Sequence, residues 1–363
     1  MDKNVYIHFL QYALDSSKHI PENIGRIDWM QMMEWAEQQA IVGVIYGGIQ
    51  RAGKALGMPF DALMEWVGYA QQIEVQNKLL NKRCVEFSEM LQKDGFECCI
   101  LKGQGNALMY PNPLLRTSGD MDVWLKGKSI SDAVEYSRKH FPAAKACYHH
   151  VDFGDYEGVE VEIHYRPSFR NNMVANFKLQ RWFEEHKKEQ FLNSKELPEG
   201  VGTINVPTWE FNVVFQLCHI YQHVIKEGIG LRQIVDYYYL LRISAKSEMS
   251  NEELEMILRH QGLTEIAGAV MWVLKEVLGL EEKYLIAPVD ERRGRFLLSE
   301  IMEGGNFGRG LRTEAGWLNS DNAVARNINR LKRDARLLRY FPSECLWEPV
   351  FRVYHFFWRL AHR

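Results

Sequence analysis

The stretch Gly119-Asp120-Met121-Asp122-Val123-Trp124-Leu125, which follows Leu101-Lys102-Gly103 and Arg116, decides how the chain reads. Successive side chains of a β-strand alternate faces, so Asp120 and Asp122 share one face while Met121 and Val123 take the other. Two carboxylates held side by side repel each other unless a cation or a proton offsets the charge. Oxygen-only ligands in this arrangement suit Mg²⁺, which takes one or two carboxylates together with substrate phosphates. A Gly-Asp turn leading into a solvated strand end has the same signature. The pair alone leaves both readings open, and the flanking sequence has to decide.

Working outward, the apolar run at 96–101 predicts a short buried strand ending at Lys102-Gly103. A short helix over 106–110 is stopped by Pro111 and Pro113. The acid pair then opens a strand over 120–125. An amphipathic helix follows at 130–140, then two strands over 148–153 and 159–165 joined by a loop at 154–158. On either side the period is helical. Val5, Phe9, Tyr12 and Ala13 share a face, as do Trp29, Met32, Met33, Ala36 and Ala40. Gly43, Gly47, Gly48, Gly53 and Gly57 fit no phosphate-loop pattern and read as close helix packing. Helices return from Trp209, over 231–242, 252–259 and 267–280. Beyond a glycine-rich break at 304–310, a basic helix over 322–340 carries Arg326, Arg330, Lys332, Arg333, Arg336 and Arg339. It reads as a solvated face or as a surface for a nucleotide-bearing acceptor. The aromatic end at 347–360 is expected to be buried against the domain. The expected fold class is α+β: a small mixed β-sheet core at 93–207 between an N-terminal helical region at 1–92 and a C-terminal helical region at 208–363.

Composition narrows the partners. The 363 residues are 46% hydrophobic and 25% charged, with a formal charge of −3, which gives no global case for nucleic acid or an acidic membrane. No apolar run is long enough to span a bilayer, and no secretory pattern opens the chain, so a cytoplasmic location is expected. The six cysteines form no CxxC pair. They read as reduced thiols, with neither a disulfide frame nor a zinc site.

A third carboxylate lies in Val159-Glu160-Val161-Glu162-Ile163-His164. Alternation puts Glu160, Glu162 and His164 on one face. If this strand lies beside the first, Glu162 completes a three-acid cluster of the kind two-metal catalysis needs, and Glu160 reads as solvated. Leu101-Lys102-Gly103, Tyr110-Pro111, Arg116, Gly119-Asp120-Met121-Asp122 and Val161-Glu162-Ile163-His164 in this order resemble the uncharacterised nucleotidyltransferase family of bacteria. That family lies within the DNA polymerase beta-like nucleotidyltransferase superfamily, which includes kanamycin nucleotidyltransferase. The segment with His219, His223, Leu231, Arg232 and Asp236 resembles a downstream stretch of the same family.

The resemblance implies Mg²⁺-dependent transfer of an NMP from an NTP to an acceptor hydroxyl. Two Mg²⁺ ions are expected on Asp120, Asp122 and Glu162, and the acceptor is a small molecule, a protein or RNA. Lys102, Gly103, Arg116 and Gly119 are expected to bind the nucleotide, with Arg116 and Lys102 on phosphate charge. His150 and His164 are expected beside the substrate or behind the carboxylates. The superfamily's Gly-Ser pair is replaced by Lys102-Gly103-Gln104-Gly105. That departure keeps open a non-catalytic nucleotide-binding or regulatory protein, and the basic helix at 322–340 keeps open a toxin-like RNA-modifying nucleotidyltransferase. His219 and His223 read as core or interface histidines, and Arg232 with Asp236 as an intrahelical ion pair.

Overall fold

The computed structural model describes residues 3–126, 129–243, 249–306 and 323–362. Helices α1 (Lys3–Leu14), α2 (Trp29–Gln39) and α3 (Val42–Ala52) precede the long α4 (Phe60–Lys93). Asp28 caps α2, its carboxylate accepting from the N–H groups of Met30 and Gln31. Gly43 explains part of the glycine spacing: a Cβ there would lie 1.9 Å from the Leu115 carbonyl oxygen, so only glycine lets α3 press on the loop that leads to the acid pair.

The α/β unit follows as β1 (Cys98–Leu101), α5 (Gly103–Ala107), β2 (Met121–Leu125), α6 (Ile130–His140), β3 (His150–Tyr156) and β4 (Val159–His164). The sheet runs β1-β2-β4-β3, with β2 and β4 parallel and both outer pairs antiparallel. Asp122 therefore sits directly across from Glu162, the adjacency that the three-acid reading required. One sheet face, with Met121, Val123, Val161 and Ile163, packs on Phe87 and Leu91 of α4 and on Val134 of α6. The other carries Trp124, whose ring lies 5.4 Å from Phe211. Trp124 belongs to a large core that unites the N-terminal helices with those beyond Trp209. Alternation along two adjacent strands thus builds a core on one side and gathers acids on the other.

Several elements differ from expectation. The short helix starts at Gly103, directly after β1, and not at Asn106. β3 continues to Tyr156, so the connection to β4 is the two-residue turn Glu157-Gly158. Both residues have positive φ (49° and 92°), as a tight hairpin requires. After β4 come α7 (Met173–Glu185), α8 (Lys187–Gln190) and the ribbon β5 (Ser194–Glu196) with β6 (Thr203–Asn205). The ribbon was unforeseen because its strands are three residues long and polar. Asn205 Nδ2 donates to the Cys98 carbonyl at 3.3 Å, so β6 lies against the edge of β1.

The second helical part comprises α9 (Trp209–Lys226), α10 (Leu231–Arg242), α11 (Asn251–His260), α12 (Thr264–Trp272), α13 (Glu291–Gly304), α14 (Ala323–Leu337) and α15 (Pro342–Ala361). At the expected break over 304–310, α13 runs to Gly304 and Gly305 (φ 61°) ends it; 307–310 lie outside the described residues, as does the side chain of Arg326. Arg333 donates to the carbonyls of Val224 and Lys226 at the end of α9, and Arg336 pairs with Glu300 at 2.8 Å. Those two cations tie helices together and are not a free basic face. The aromatic end is a further correction. Phe351 and Trp358 are buried, but Leu346, Val350, Val353, Phe356, Phe357 and Leu360 are exposed. Among the described residues no helix is long and apolar enough to cross a membrane.

Candidate active site

A cavity of about 240 Å³ opens where the acid-bearing ends of β2 and β4 meet α9 and α10. Asp122 is buried, Glu162 half-buried and Asp120 exposed at the mouth, and one oxygen from each lies within 4.8 Å of the others. Lys102 Nζ lies 2.8 Å from Asp122 Oδ1, and His164 Nε2 approaches the same oxygen at 2.9 Å. Lys102 reaches there from a positive φ of 49°, at the break between β1 and α5. His164 Nε2 is 3.4 Å from Glu162 Oε2, and His150 Nδ1 is 3.1 Å from the same atom. Of the adjacent pair His149-His150, His150 is the one that touches the carboxylates.

The charges respond to this crowding. Burial works against ionisation of Asp122, but the Lys102 ammonium and the His164 hydrogen bond hold its carboxyl well below the usual range. The Asp122 charge, then burial, pushes Asp120 up to about 6. Glu162 stays below its ordinary value despite burial and the Asp122 charge, because His164 and His150 face it. Burial works against protonation of His164 and His150, yet the bonds to Asp122 and Glu162 raise His164, and Asp152, Cys147 and Glu162 raise His150 to about 10. Both rings therefore join the Lys102 ammonium in offsetting the three carboxylates of the cluster. Its donor set, oxygen only, fits a hard divalent cation.

Arg116 and Asp236 line the same cavity, paired with each other. Arg116 Nε and Nη2 donate to the two oxygens of Asp236 at 2.8 and 2.7 Å. The same carboxylate accepts from Tyr110 Oη at 2.6 Å and Asn106 Nδ2 at 3.3 Å. The Arg116 fork is therefore spent on Asp236, which corrects both its expected place on phosphate and the expected Arg232–Asp236 pair. Arg232 Nη1 donates instead to the carbonyls of Thr117 and Ser118, at 3.2 and 3.3 Å, and would lie 3.7 Å from a Cβ added to Gly119. Gly103 (φ 35°) and Gly119 both line the cavity.

His219 and His223 are a further correction. They stand outside the packed core: half-buried, they line the cavity from α9, with ring centroids 4.3 Å apart. Burial drives both imidazoles below their ordinary range. Gln216, one turn before His219, donates to Asn106 Oδ1 at 3.0 Å and so joins this wall to the Asp236 network. The i,i+4 spacing of the two histidines was the only sequence signal for the wall.

A family model described as uncharacterised nucleotidyltransferase matches residues 25–279, more than half of the chain. No curated protein matches it. Among solved structures, an antigenic nucleotidyltransferase-like protein from Paracoccidioides brasiliensis is similar over 60% of this chain and 96% of its own, at 11% identity and a TM-score of 0.30.

Proposed function

The chain belongs to the uncharacterised nucleotidyltransferase family, and on that premise we propose that it transfers an NMP from an NTP to an acceptor hydroxyl, with Asp120, Asp122 and Glu162 holding Mg²⁺. The observation that carries this reading is the three-carboxylate set on adjacent parallel strands, with Asp122 directly across from Glu162. A divalent cation bound there supplies positive charge to the α-phosphate and favours ionisation of the attacking hydroxyl. In the reaction an O–Pα bond forms to the acceptor, the hydroxyl proton is released to solvent, the bond to the bridging oxygen breaks, and pyrophosphate leaves with those electrons.

The chain's own groups divide the remaining work. Glu162, kept ionised by His164 and His150, accepts a hydrogen bond from the acceptor hydroxyl and orients it. Lys102 stabilises phosphate charge as a fixed cation beside Asp122. Gly103 and Gly119 let backbone approach the nucleotide closely. Arg116, its fork closed on Asp236, acts at one remove by anchoring the chain that enters the Thr117–Gly119 turn, whose carbonyls Arg232 holds.

The test measures binding and transfer separately. Calorimetry with each of the four NTPs and Mg²⁺ is expected to find one that binds the wild-type protein. With that NTP, α-³²P-label transfer to acceptor pools is expected to fall about 10²- to 10⁴-fold in Asp120→Asn and Glu162→Gln. Wild-type transfer rates in either variant contradict the reading. Tight nucleotide binding without transfer to any pool favours the regulatory alternative.

A further inference from the structure

A second donor set adjoins the carboxylates, and its chemistry is different. Cys147-Tyr148-His149-His150 leads into β3, and one ligand atom each from Cys147, His149 and His150 lies within 4.8 Å of the other two. Cys147 Sγ is 3.3 Å from His149 Nδ1, and His149 Nε2 is 3.2 Å from His150 Nδ1. Tetrahedral zinc with bonds of about 2.0–2.3 Å sets its ligand atoms about 3.3–3.8 Å apart. An ion takes only one of the two His149 nitrogens, so the rings of His149 and His150 must turn to bring the three donors from within 4.8 Å of one another to that spacing.

The backbone under these donors is already held. The Cys147 N–H donates to the His150 carbonyl at 2.9 Å, and the N–H groups of Tyr165 and Arg166 both donate to the His149 carbonyl at 3.1 Å. Tyr165 Oη donates to the carbonyls of Cys147 and His150. A short loop pinned at each carbonyl presents its side chains with little freedom left to lose, which favours ligation. His149 and His150 reach the cavity wall, so an ion has a path in.

We propose that Cys147, His149 and His150 form a binding site for a thiolate- and imidazole-preferring divalent metal, best fitted by Zn²⁺, distinct from the all-oxygen set. On binding, the Cys147 thiol and the protonated His150 ring each give a proton to solvent. The thiolate and two neutral imidazoles then leave the fourth position to water. This reverses the expectation that the cysteines include no zinc ligand. Absence of CxxC pairs excludes the common frame, but not a Cys-x-His-His run. His150 also lies 3.1 Å from Glu162. A metal on His150 therefore competes for that imidazole, and Zn²⁺ occupancy weakens the support of Glu162. The site itself does not depend on the transfer reaction.

The test is a Co²⁺ titration of the reduced full-length protein. One equivalent is expected to bind with a sulfur-to-cobalt charge-transfer band in the near ultraviolet. Cys147→Ser is expected to lose the band, and His149→Gln to weaken binding at least about tenfold. Asp120→Asn is expected to keep the band. No band in the wild type, or a band that survives Cys147→Ser, overturns the proposal. Should either variant misfold, X-ray absorption of the Zn²⁺-loaded wild type decides: one sulfur with nitrogen neighbours supports the site, and an oxygen-only shell overturns it. A protein that transfers no nucleotide still gives all of these signals, so the two readings fail separately.

Discussion

Two buried cation–carboxylate pairs flank one cavity, Arg116–Asp236 and Lys102–Asp122, and they are built for opposite ends. Asp236 has both oxygens engaged: Oδ1 accepts from Arg116 and Tyr110, and Oδ2 from Arg116 and Asn106. Asp122 has Lys102 and His164 both on Oδ1, and among the described residues no hydrogen bond reaches its Oδ2. Asp120 and Glu162 stand beside it, each adding negative charge. A planar guanidinium fork closes a carboxylate with two fixed bonds, whereas an ammonium is a single point charge on a flexible stem. One pair is saturated and holds the framework together. The other retains a free oxygen and has two more carboxylates beside it, which is how a cation site differs from a structural ion pair.

The comparison breaks first at Arg116. Arg116→Ala leaves Asp236 buried and without its main partner, and is expected to cost about 3–5 kcal/mol in urea unfolding. Arg116→Lys should recover only part of that, since a lysine cannot span both oxygens. If Arg116→Ala unfolds within about 0.5 kcal/mol of wild type, Asp236 is not the closed pair described here.

The carboxylate cluster should respond in the opposite sense. Asp120 has its carboxyl raised to about 6 from an ordinary 3.8, chiefly by Asp122. The folded state therefore binds a proton that the unfolded state has released between about pH 4 and 6, and stability of the cation-free protein falls as pH rises through that window. Asp120→Asn removes this loss. Since Asp120 is solvent-open and water screens part of the repulsion, the expected gain at pH 7.5 with EDTA is under about 1 kcal/mol. The gain should vanish at pH 4. Thermal melts at the two pH values check both sign and size; a destabilised Asp120→Asn at pH 7.5 contradicts the repulsion between Asp120 and Asp122.

The same contrast explains which parts of the molecule were legible in the sequence. Asp120, Asp122, Glu162 and His164 could be read because strand alternation is local and strict, and the polar residues break apolar runs on one face only. Their adjacency needed a parallel pairing that sequence could state only as a condition. Arg232 and Asp236, four apart on a helix, suggested a local pair. A buried carboxylate instead takes the partner that saturates it, and Arg116 lies 120 positions away in sequence. His219 and His223 looked like core residues because their helix is otherwise apolar; that α9 forms a cavity wall depends on α10 and the 117–119 turn. Exposed apolar residues on α15 were unforeseen because aromatic content signals burial only when another element covers the face.

The central claim is that Asp120, Asp122 and Glu162 together hold a divalent cation. It is tested most directly by Mn²⁺ titration read through the free-ion EPR signal, with a non-hydrolysable NTP present. Wild type is expected to remove the signal stoichiometrically, while Asp122→Asn and Glu162→Gln bind Mn²⁺ at least about tenfold more weakly. Equal Mn²⁺ binding by all three proteins would contradict the account.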